Sequence, residues 1–124
     1  MRIEEGIQAA LVAAGIASYY EFMPQGVVYP ALTFQRVSTV RGDLLSELDT
    51  FTTVRFQFDA YADNLTAVKG LADQVRALFD GFAGNLSGVT VQNVKMENET
   101  DLSILEGDKE TRRTSLDFFF ILHE

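Results

Sequence analysis

The sequence predicts an α+β domain: a two-layer sandwich of order α-β-β-α-β-β, with a four-stranded, mainly antiparallel sheet and two helices on one face. Three observations lead there. Val54, Phe56, Phe58 and Ala60 alternate with Arg55, Gln57, Asp59 and Tyr61, the period-two mark of a half-buried strand. Leu65, Val68, Leu71, Ala72, Val75, Leu78 and Phe79 recur at helical spacing just after it. Strand pairs flank that helix on both sides, and hairpins separated by a helix favour antiparallel pairing with the helices segregated to one face.

The first helix is expected over residues 2–14. Ile3, Ile7, Ala10, Leu11 and Ala14 form its apolar stripe, Glu4 and Glu5 suit the positive end of the helix dipole, and Gly15 is placed just past its end. Gly6 weakens its start. Residues 16–30 read as a loop punctuated by Pro24, Gly26 and Tyr29-Pro30. Tyr19, Tyr20, Phe22 and Met23 are too apolar for a free loop and suggest a short edge strand. Strands follow at 31–40 and 50–62, joined by a connection over 41–49 with Gly42 at its turn. The second helix spans 64–80, capped by Asp63 or Asn64 and stopped by Gly81. Gly70 within it suggests close approach of another backbone. Strands at 88–96 and 111–123 close the chain, separated by a polar loop over 97–109.

A length of 124 residues fits a single domain, residues 1–124, large enough for one core. Ten Phe and no Trp predict a core rich in Phe and Leu. With no Cys there is no thiolate nucleophile, thiolate metal site or disulfide. The charged start Met1-Arg2-Ile3-Glu4-Glu5 lacks the apolar segment of a secretory signal, and no apolar run is long enough to cross a bilayer. The net charge of −8 argues against binding by neutralising nucleic-acid phosphates, while suiting a surface that DNA slides past.

The final strand supplies the functional hint. If Leu116, Phe118, Phe120 and Leu122 face the helices, Phe119 and Ile121 point to the open side, where Tyr61, Phe51 and Val37 are candidates to join them. Contiguous exposed apolar surface marks an interface. The competing reading is a face covered from within, by the segment around Tyr19–Met23 folding over it.

Tyr29-Pro30-Ala31-Leu32-Thr33, the run Thr53 to Ala62 leading into a helix with Ala67, Leu71, Ala72, Val75, Arg76 and Leu78, and Arg112-Arg113 before the strand Leu116 to Leu122 appear here in that order. In this the chain resembles the tail-completion, or tail-terminator, family of long-tailed bacteriophages and related gene-transfer particles over nearly its whole length. The resemblance implies a virion structural protein without enzymatic activity or cofactor, assembled in the host cytoplasm. It implies a ring, hexameric in family members, at the head-proximal end of the tail tube, with genomic DNA passing through. The implied partners are other copies of the chain, the tail tube protein and a neck or head–tail connector protein.

On that reading, Arg41, Asp43, Leu44, Leu45 and Leu48, with Tyr61, Phe119 and Ile121, are candidates for subunit or tube contacts. Glu97, Glu99, Asp101, Glu106, Asp108 and Glu110 are candidates for an acidic loop lining the channel. A different neck or head-completion subunit is the first alternative, and a small ligand- or metal-binding module the second. The acid spacing does not match a calcium loop, and His123, the lone His, has no second His or Cys to form a metal site or triad with. In Arg41-Gly42-Asp43 the glycine serves the turn, and Gly81-Phe82-Ala83-Gly84 follows a helix rather than a strand, so it is no phosphate loop.

Overall fold

A computed structural model describes residues 2–41, 51–106 and 109–123. Its elements run α1 (Ile3–Ala13), β1 (Ser18–Tyr20), β2 (Ala31–Arg41), β3 (Thr52–Ala62), α2 (Leu65–Phe79), β4 (Gly84–Leu86), β5 (Val89–Glu106) and β6 (Lys109–His123). All the strands join one sheet of order β1-β2-β3-β6-β5-β4. The β1–β2 pair is parallel and the others antiparallel.

This overturns the expected four-stranded sandwich. The sheet is six-stranded, mixed and curled into a half-barrel, and strand residues outnumber helical ones. Of the two added strands, β1 is the short edge strand that Tyr19 and Tyr20 suggested, while β4, three residues long, is too short for alternation to be read. The predicted polar loop over 97–109 is mostly strand: residues 98–103 pair with residues 112–117 of β6 alongside β3, and β5 and β6 then continue as a hairpin past the end of β3. The last β3–β6 rung is Ala62↔Arg112, whereas β5 and β6 pair on to Glu106↔Lys109. This two-stranded arm extends about 10 Å, three rungs at ~3.4 Å each. Its sequence, Ile104-Leu105-Glu106 and Lys109-Glu110-Thr111, carries no clean alternation by which it could be read.

The curl follows from what α1 touches. Across six flat strands the outer two lie roughly 24 Å apart at ~4.8 Å spacing, more than twice the ~10 Å width of a helix. Yet α1 contacts both edge strands, β1 and β4. At one edge the Gln8 Nε2 donates to Ser18 Oγ at 3.1 Å. At the other, a Cβ built on Gly6 would lie 2.7 Å from the Leu86 carbonyl oxygen. Gly6 is thus the position where two backbones meet, while Gly70 is exposed with nothing within 4 Å of a Cβ, contrary to the sequence expectation. Past the helix, Gly15 N–H donates to Val12 O and Ile16 N–H to Leu11 O, with Gly15 at φ +77°. That left-handed turn satisfies two end carbonyls and drops Ile16 into the core beside Leu11.

The concave side holds the core. Ile3, Ile7 and Leu11 of α1 and Val68, Leu71, Ala72, Val75 and Phe79 of α2 share one cluster with the inward residues of the sheet. As expected, Leu116, Phe118, Phe120 and Leu122 all point inward, fully buried. Phe58 lies at the centre, its ring 5.3 Å from Phe79, 5.5 Å from Phe118 and 5.8 Å from Phe34. Asn64 caps α2, its Oδ1 accepting from Ala67 N–H at 2.8 Å. Leu65, counted in the helical stripe, lies in the first turn beyond the sheet and is 53% exposed.

Two stability outcomes follow. Phe58→Ala is expected to cost about 3–5 kcal/mol in urea unfolding, from lost transfer energy plus a cavity. Gly6→Ala, colliding with backbone, is expected to cost about 1–3 kcal/mol, while Gly70→Ala gains up to ~1 kcal/mol from helix propensity. Equal effects at the two glycines would contradict the packing of α1 against β4.

Candidate assembly surfaces

Strand register sets the two ends of the molecule. Arg41↔Thr52, Thr52↔Leu122 and Leu122↔Val91 lie at one end; Ala31↔Tyr61, Tyr61↔Arg113 and Arg113↔Leu102 lie at the other. The connection from β2 to β3 therefore leaves from one end and the β5–β6 arm from the opposite end. Asp43, Leu44, Leu45, Leu48 and Asp108 lie outside the described residues, as do the side chains of Arg41, Glu106 and Glu110.

Phe119 and Ile121 do face the open, convex side, and both are half-buried. Their cross-strand neighbours are polar: Arg55 and Lys95 flank Phe119, and Thr53 and Asn93 flank Ile121. Tyr61 lies further along the sheet, stacked on Tyr29 at 6.1 Å with the Arg113 guanidinium 5.8 Å from its ring centre. The structure thus brings Phe119 and Ile121 together and leaves Tyr61 apart, with two polar rows between.

Those rows are a feature the sequence reading missed. Asp59, buried in the β3–β6 seam, accepts from Ser115 Oγ, from Gln57 Nε2 at 3.2 Å and from Arg113 Nε at 3.3 Å. Arg55 Nη2 pairs with Asp117 Oδ2 at 2.9 Å. Charge-assisted bonds of this kind fix geometry as well as add energy. The alternating Arg55/Gln57/Asp59 and Arg113/Ser115/Asp117 triplets were visible in sequence. Only the register Asp59↔Ser115 and Gln57↔Asp117 shows that they interlock.

The acidic candidates divide. Glu97 is exposed on β5. Glu99 and Asp101 pair instead with cations on α2: Glu99 with Arg76, and Asp101 Oδ1 with Lys69 Nζ at 2.6 Å. The Lys69 ammonium, then the Thr114 hydroxyl, hold the Asp101 carboxyl below its ordinary range. No group of three or more potential metal-ligating side chains occurs among the described residues. No described helix is long and apolar enough to cross a membrane.

The six strands thus form a half-barrel with paired charges on its convex side and with the β2–β3 connection and the β5–β6 arm at opposite ends. The family model for Tail completion protein gp17 matches residues 6–123. The chain belongs to this tail-completion family. It is a structural protein of the virion tail, not an enzyme. Among solved structures, a chain from the virion of a native gene transfer agent particle aligns over 98% of this tail-completion protein and 92% of that chain, with a TM-score of 0.66 and 16% identity. At that identity the likeness shows a shared fold. No curated protein matches the chain by sequence.

A pH dependence follows from Asp101. Its carboxyl is stabilised as the anion in the folded state, so its contribution is present above the ordinary carboxylate pKa of about 4 and is lost as pH falls through the lowered folded value. Asp101→Asn is expected to lower the urea midpoint modestly at pH 7, with the gap to wild type closing below about pH 4. A gap independent of pH would mean that the Lys69 pair contributes nothing through charge.

Proposed function

We propose that this tail-completion protein forms a ring, hexameric as the family resemblance implies, at the head-proximal end of the tail tube, where it stops tube growth and presents the surface to which the head attaches. The observation carrying this reading is the polarity of the protomer: the β2–β3 connection and the β5–β6 arm leave from opposite ends of one sheet. A tube elongates because each ring offers the next a face complementary to its own underside. A subunit with unlike ends can match the last tube ring on one side and end the repeat on the other.

On this reading the partners are further copies of the chain, the tube protein and a neck or connector protein. The β2–β3 connection, through Leu44, Leu45 and Leu48 beside Arg41 and Asp43, inserts apolar side chains into one axial neighbour. The β5–β6 arm reaches the other. A two-stranded hairpin is at best marginally stable alone in water, which supports its being covered in the assembly. Phe119 and Ile121 on the convex face, with Tyr61 near the arm, make lateral or tube contacts. Glu97, Glu106, Asp108 and Glu110 keep the channel wall acidic for passing DNA, while the charges of Glu99 and Asp101 are offset by α2.

Electron microscopy of particles made without this protein is expected to show tubes of uncontrolled length that are unattached to heads. Normal, head-joined tails would end the ring reading. The double variant Leu44→Asp/Leu45→Asp is expected to keep the monomer's melting temperature and lose at least tenfold in incorporation into tails. Normal incorporation would remove the β2–β3 connection from the contact.

A further inference from the structure

β1 is parallel to β2 but covers only Leu32, Thr33 and Phe34. Beyond them, from Val37 to Val40, the outer edge of β2 has no neighbouring strand among the described residues. Proteins usually protect such an edge with lysine, proline or a very short strand. Here there is neither lysine nor proline, and Val37 and Val40 are 43% and 63% exposed. A bulge between Arg36 and Ser38 is the one interruption.

Beside this edge, where β1 stops, a groove of about 420 Å³ opens between α1 and the sheet, lined by Glu4, Glu5, Gln8, Ala9, Tyr20 and Phe34. Its walls are mostly carbon and its rim is acidic. Glu4 is paired with Arg36 at 2.9 Å, while Glu5 is exposed, as is Glu21 just past β1.

We propose that the β2 edge from Val37 to Val40 is a strand-addition site for a partner protein of the tail: an extended segment that continues the line of β1, seats an apolar side chain in the α1 groove and carries Lys or Arg near Glu5 and Glu21. Edge pairing supplies backbone hydrogen bonds, and a pocket for one side chain supplies selectivity. Charge complementarity favours a different protein over a second copy. This chain is net −8, and its Arg36, Arg55, Lys69, Arg76 and Arg113 are each paired to a carboxylate of their own chain. Such a segment belongs to a protein met in the assembled tail, so this inference rests on the ring reading.

Hydrogen–deuterium exchange tests it, comparing those amides of residues 37–40 that point away from β3 in the free protein with the same amides in purified tails. At least tenfold slower exchange in tails is expected. In parallel, Ala9→Phe, which fills the groove from an exposed helix position, and Glu5→Lys, which reverses the rim charge, are expected to melt as wild type does and to fall at least tenfold in incorporation. The strand addition is overturned by an edge that exchanges equally fast in tails, by one already protected in the free monomer, or by variants that incorporate normally. Protection in rings of the purified chain alone would assign the edge to a second copy and overturn the hetero-partner. Wild-type protein absent from purified tails would defeat the ring reading and this site together, whereas wild type present with an unprotected edge defeats this site alone.

Discussion

Helix α1 lodged between the two outermost strands is the constraint on which the architecture depends. Gln8 ties it to β1, and Gly6 lets the Leu86 backbone approach within the space a methyl group would occupy. A sheet of six strands has two edges to protect and one concave face to fill. One helix does both only if the sheet bends until its edges reach it. Ile3, Ile7 and Leu11 then fill the concavity beside the Phe58 cluster. The cost of that arrangement falls on Gly6, whose lack of a side chain weakens the helix but permits the closure.

Bending the sheet also sorts its two faces. The concave side is committed to the core apart from the groove between α1 and the sheet. The convex side carries interlocking ion pairs, Asp59 with Arg113 and Arg55 with Asp117, that hold β3 and β6 in one register. A one-residue slip would break both pairs and turn the phenylalanines outward. The ends, the arm, Phe119 and Ile121 on the convex face, and the β2 edge from Val37 to Val40, which has no neighbouring strand among the described residues, are what remain for assembly.

Legibility in the sequence followed burial. The stripe of α2 and the alternation of β3 and β6 could be read because each has one buried face, and the sorting of Leu116, Phe118, Phe120 and Leu122 from Phe119 and Ile121 came with it. The family could be read because order and spacing of these elements are properties of the chain. The β5–β6 arm could not, since Ile104-Leu105-Glu106 and Lys109-Glu110-Thr111 are too short and too charged to show alternation. Nor could the pairing of Glu99 and Asp101 with Arg76 and Lys69, whose partners lie 23 and 32 residues away.

By itself the sequence determined which segments hide and which side of each strand does so, because hydrophobic periodicity is a local property of the chain. It determined the Phe-rich core and the acidic balance for the same reason. Tertiary structure alone decided that Gly6 and not Gly70 is the close-packed glycine, that β4 and the parallel pairing of β1 extend the sheet to six strands, and that the β2–β3 connection and the β5–β6 arm leave from opposite ends. These depend on register and curvature, which arise only when residues distant in the chain are brought into contact.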